Sequence, residues 1–126
     1  MTADWSISLG GQFNRRTEDG SLVFWRKGLT IWIIVWKNDN GQTVTHRMTR
    51  IRGDVSLAAY DILEEQHGST SGLAYRLLED AEDERAPAFH GFSVADVGHV
   101  QLAVYFNDET AVASAKAIWR SIRCRN

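Results

Sequence analysis

Apolar and polar positions alternate in short runs over most of this chain, and one run breaks the alternation. Residues 29–36 read Leu-Thr-Ile-Trp-Ile-Ile-Val-Trp, with no charge and apolar at nearly every position. A strand with one wet face alternates, so this run predicts a strand covered on both faces. Leu29, Ile31, Ile33 and Val35 share one face; Trp32, Ile34 and Trp36 share the other.

Upstream, residues 5–9 and 12–16 read as short strands separated by Gly10-Gly11. Asp19-Gly20 carries the positive-φ chemistry of a tight hairpin, and residues 21–25 continue as a strand. Lys27-Gly28 then turns the chain into the apolar run, which ends in the turn formers Asn38-Asp-Asn-Gly41. Over residues 42–52 the period lengthens: Val44, Met48 and Ile51 fall on one face of a helix, with Arg47 and Arg50 read as its solvated face. Threonines 43, 45 and 49 weaken its propensity, so packing must hold it.

Strands are predicted again over residues 59–65, around Leu73, Tyr75 and Leu77, and over 89–94 and 99–106, the last two joined at Asp96-Val97-Gly98. Residues 67–72 form a connection and 79–85 a charged turn. A closing helix is capped by Asn107 or Asp108 and lined by Ala111, Ala115, Ile118 and Ile122. The order is four strands, a helix, four strands, a helix. The fold class is therefore α+β: a twisted antiparallel sheet of six to eight strands with two helices, the C-terminal one packed on the sheet. Residues 1–126 form a single domain.

Composition narrows the functional classes. The balance of 14 basic and 16 acidic residues, net −2, gives no general pull toward nucleic acid or anionic membrane. With one cysteine, Cys124, no intramolecular disulfide is possible, and a reducing compartment is expected. The first residues lack a signal-peptide pattern and the apolar run is too short to span a bilayer, so the expected location is cytoplasmic.

No motif carries catalysis. The four histidines 46, 67, 90 and 99 lack zinc-ligand spacing. Gly68-Ser-Thr-Ser-Gly72 has threonine where a nucleophile elbow needs serine, and it lacks the lysine of a phosphate loop. Glu64 and Glu65 are neighbours in a strand and point to opposite faces, so they cannot act as an acid–base pair. The expectation is no cofactor, no metal and, on balance, no enzyme. His46, Arg47, Arg50 and Arg52, with Arg15, Arg16, Arg26 and Lys27, would make a nucleic-acid site only if they converged. The acidic string over residues 79–84 reads as a solvated loop.

Taken together, the short first strand Trp5-Ser-Ile-Ser-Leu9, the meander through Leu22-Val-Phe-Trp25 and the apolar run, and the closing Ala117-Ile-Trp-Arg-Ser-Ile122 resemble the Mog1/PsbP-like α+β superfamily, including its small bacterial members. The resemblance implies action by binding other proteins and carries over no catalytic residue. The expected function is a small non-enzymatic interaction module, of adaptor, chaperone or immunity type. It would bind a protein partner or itself through a sheet face or edge, with Trp25, Trp32, Ile34 and Trp36 as the candidate surface. The same tryptophans could instead form a second core layer with a cross-strand ladder. The alternative function is a small-ligand binder or enzyme with a pocket between sheet and helix, using Tyr60, Tyr75 or His90.

Overall fold

The computed structural model describes residues 4–79 and 85–125. Seven strands form one antiparallel sheet: β2 (Asn14–Glu18), β3 (Ser21–Arg26), β4 (Leu29–Lys37), β5 (Tyr60–His67), β6 (Thr70–Leu77), β7 (Ala88–Ala95) and β8 (Gly98–Phe106). Their spatial order is β2-β3-β4-β8-β7-β6-β5, so two meanders meet where β4 pairs with β8. The hairpins close at residues able to turn: Asp19 and Gly20 between β2 and β3 have φ of 49° and 83°, and Gly28 between β3 and β4 has 79°. The α+β class, the antiparallel sheet and the C-terminal helix all follow the pattern read from the sequence.

Several boundaries differ. The first strand, β1 (Trp5–Ser6), is only two residues long and lies outside the main sheet, pairing with β9 (Arg123–Cys124). Residues 7–9 do not continue it: Ile7 and Leu9 pack on the core without strand pairing. The first helix, α1 (Val44–Asp54), starts where the Thr43 hydroxyl caps it by accepting from the His46 amide at 3.0 Å. Thr43 thus supports the helix from outside instead of weakening its interior. The C-terminal helix opens with a 3₁₀ turn (Glu109–Ala111) capped by Asp108, and the α-helical part, α2 (Val112–Arg120), stops before Ile122. The charged turn expected at residues 79–85 lies mostly outside the described residues.

The two sheet faces are covered unequally. On one, Leu29, Ile31 and Ile33 of β4 join Val100, Leu102, Val104 and Phe106 of β8 and Phe89 of β7 in the main core. Trp5 and the α2 residues Ala115, Ile118 and Trp119 close over them. On the other, α1 lays Met48 against Leu73 and Val94, with Val44, Ile51 and Val55 around them. That helix lies over β6 and β7, not over β4. The apolar run is therefore double-sided for two different reasons. One face is core, and the other borders a surface that α1 leaves open.

Candidate functional site

Strand register fixes the layout of the open half of this face. Trp36 lies beside His99, Ile34 beside Gln101 and Trp32 beside Ala103. Across the other neighbour, Trp32 faces Val23 while Trp25 faces Thr30. The tryptophans of β3 and β4 are thus staggered, and the direct cross-strand ladder expected from sequence does not form. Val23 is fully buried beneath its neighbours. Trp25, Trp32 and Ile34 are partly buried, and Trp36 is 48% exposed. The Arg16 guanidinium lies 4.9 Å over the Trp25 ring and closes the strip at the β2 border.

At its other end the strip opens into a cleft of about 530 Å³ between α1 and the sheet. Trp36, Tyr75, Phe92, His99 and Gln101 supply the sheet wall; Arg47, Arg50, Ile51 and Asp54 supply the helix wall; residues 37–42 close one end. Asn38 holds that end in place. Its side chain donates to the carbonyls of Gln42 (2.8 Å) and Asp96 (3.0 Å) and accepts from the Gln42 amide (3.1 Å). Trp36 and His99 stack at 6.1 Å between centroids, and the indole N–H reaches Gln101 Oε1 at 3.3 Å. Burial, reinforced by the positive charge of Arg47, holds the His99 imidazole below its usual range, so it is neutral at pH 7.

Arg47 is the departure from the sequence reading. It is 6% exposed, one of two buried residues of α1, and not part of a solvated face. At 3.6 residues per turn it lies on the flank of the Val44–Met48–Ile51 stripe and not opposite it, a signal the sequence did contain. Its Nη2 donates to the Ala95 carbonyl. Nε and Nη1 are buried and have no hydrogen-bond partner among the described residues. Desolvation lowers its pKa, with Asp96 opposing, and a guanidinium remains charged throughout.

The rest of the basic set does not converge. Arg15 pairs in register with Phe24 on the α2 face, and on that face Arg26 stacks over Phe13; Arg52 pairs with Glu64. Of the pocket residues expected from sequence, Tyr75 and His90 come together, stacked at 5.3 Å, and Tyr105 meets His90 edge-on at 6.3 Å. Tyr60 is in register with Arg76 on the opposite face. Glu79 Oε1 lies 2.8 Å from His90 Nε2 without the in-line geometry of a hydrogen bond. Burial and the Glu79 charge raise both Tyr75 and Tyr105, so these phenols stay protonated and can donate. Glu64 and Glu65 do point to opposite faces, toward Arg52 and Arg120 respectively.

Chemically, the site offers one buried cation, neutral aromatic donors and an apolar wall. Among the described residues no cluster of His, Cys, Asp or Glu is placed to hold a metal ion. No helix among them is long and apolar enough to cross a membrane. No protein-family model and no curated protein matches the sequence.

Proposed function

We propose that the protein is a non-catalytic binding module that docks a protein partner on the half of the sheet face left open by α1. The observation that carries this is continuity. The strip Trp25, Trp32, Ile34 and Trp36 runs without helix cover into a cleft walled by α1. Interfaces concentrate their energy where an anchor enters a desolvated pocket flanked by aromatic side chains, and this surface offers both. The module acts by presenting a sheet face, in keeping with the protein-binding role that the sequence's resemblance to the Mog1/PsbP-like superfamily implies.

A second reading is favoured by the cleft itself. Its volume of about 530 Å³ falls among small-molecule sites, so a free ligand is the competing occupant.

Trp25→Ala and Trp36→Ala in the full chain test the docking reading. Partners are captured by crosslinking, identified, and titrated as purified proteins. Melting temperatures within a few degrees of the parent, with affinity for the identified partner weakened by about 2 kcal/mol, are expected for an aromatic anchor. Unchanged affinity in both variants removes the surface.

A further inference from the structure

The feature that the docking reading leaves unexplained is Arg47. A buried guanidinium normally has its N–H groups met, because an unmet donor away from water costs free energy. Here Nη2 reaches Ala95, while Nε and Nη1 have no partner among the described residues. The residue lines a cleft large enough to admit a ligand. Surrounding it are the apolar Ile51 and Phe92 and the stacked Trp36–His99 pair, a wall suited to carbon and not to water. The remaining charged groups on the cleft are Lys37, Arg50, Asp39 and Asp54, with Asp96 close enough to act on Arg47.

We infer that this cleft is a carboxylate site: Arg47 takes the carboxylate of a ligand whose apolar body lies against Phe92, Ile51 and the Trp36–His99 stack. A carboxylate carries one negative charge, matching Arg47, the one cation among the described residues whose buried donors are unmet. A phosphate dianion would add a second charge, drawn by Lys37 and Arg50 but facing Asp39 and Asp54 as well. Once the side chain turns Nε and Nη1, closed off from solvent in this conformation, toward the cleft, charge-assisted N–H···O bonds to a carboxylate would satisfy the guanidinium and restore what its burial costs. The inference rests on the cleft of the docking reading, but it stands or falls on charge, not on who carries the charge. A protein C-terminus and a small organic acid supply the same group.

The probes are acetyl-phenylalanine and its amide, which differ only in the charge, together with acetyl-Ala-Ala-Ala-Phe. Binding is measured by calorimetry and by the His99 ring-proton resonances. The expected result is that the acid binds at least about tenfold more tightly than the amide, the factor a charge-assisted hydrogen bond supplies. Acid and amide bury the His99 ring alike, so the apparent His99 pKa is higher with the acid bound than with the amide, because only the acid offsets the Arg47 charge that adds to the effect of burial. In Arg47→Met the preference for acid over amide disappears, and the melting temperature is held within a few degrees, because losing the Nη2–Ala95 bond is offset by removing a buried cation with unmet donors. Equal affinity of acid and amide for the parent protein overturns the carboxylate site while leaving the docking surface standing. So does an acid preference that survives in Arg47→Met. Should Arg47→Met fail to fold, the acid–amide comparison and the His99 shift on the parent chain decide alone. Tighter binding of the tetrapeptide than of acetyl-phenylalanine places the carboxylate at a chain end running along the tryptophan strip. Equal affinity of those two acids assigns the site to a free acid and removes the docking reading instead.

Discussion

Trp119 lies against Gly91 so closely that a methyl group on Gly91 would come within 2.6 Å of the indole Cδ1. The same ring would meet a methyl on Gly72 at 2.8 Å. Two glycines on adjacent strands thus form the bed on which α2 rests, and the indole N–H fixes the ring by donating to the Phe92 carbonyl at 3.1 Å.

Gly91→Ala is expected to destabilise the fold by about 1–3 kcal/mol, because the ring cannot shift without losing that bond. Thermal melting measures it. Adding Trp119→Phe should make the two losses less than additive, since the smaller ring leaves room for the methyl.

Arg76 is the counterpart of Arg47 on the other face, equally buried but bonded through both Nε and Nη2. It donates to the Pro87 carbonyl from Nε (3.3 Å) and Nη2 (2.9 Å) and to Glu109 Oε1 (2.9 Å), and it lies between the rings of Tyr60 and Phe106. Arg76→Met should cost about 1–3 kcal/mol in denaturant unfolding, from losing the hydrogen bonds that a buried guanidinium makes to the Pro87 carbonyl and Glu109. Glu109→Gln, at a largely exposed carboxylate, should cost under about 1 kcal/mol. The smaller response of Arg47→Met would separate an arginine that holds the fold from one that waits for a ligand.

His99 ties stability to pH. Its folded pKa is depressed by burial and by Arg47, so the unfolded chain takes up a proton first as the pH falls. Its contribution is complete above the unfolded value of about 6.5 and is lost as the pH falls through the lower folded value. Unfolding free energies measured from pH 8 to pH 5 should decline, and His99→Gln should flatten that decline.

A second acid-sensitive contact joins β5 to α2. Arg120 grips Glu65 through Nε and Nη2 (2.7 Å at the shortest), and this bonding, ahead of the opposing effect of burial, lowers the Glu65 pKa. The contribution is present above the ordinary carboxylate value and fades as the pH falls below it. Arg120→Met should lose about 0.2–1 kcal/mol at pH 7, and its difference from the parent should shrink by pH 3.

Much of the fold was legible because its signals are local. An unbroken apolar run marked β4, alternation marked β8, Asp19-Gly20 and Gly28 marked the hairpins, and Asp96-Val97-Gly98 marked the turn that joins β7 to β8. What could not be read was which strands each helix covers. The stripe of Val44, Met48 and Ile51 says that α1 buries a face. Only the long-range pairing of β4 with β8 moves β6 and β7 beneath it and leaves Trp36 at the margin. The role of Arg47 was lost to a wheel position read as opposite when it was flanking. The glycine bed beneath Trp119 was invisible for another reason: a glycine in a strand does not name the ring that needs its space.

The short pairing of β1 with β9 sets Trp5 opposite Cys124, and the Arg125 amide reaches the Asp4 carbonyl at 2.7 Å. Because Trp5 belongs to the α2-side core, this clamp is on the far side of the sheet from the cleft. A fluorophore or surface tether on the Cys124 thiol would leave from that corner, on the side of the sheet away from Arg47. The chain can thus be held from behind while its open face stays available.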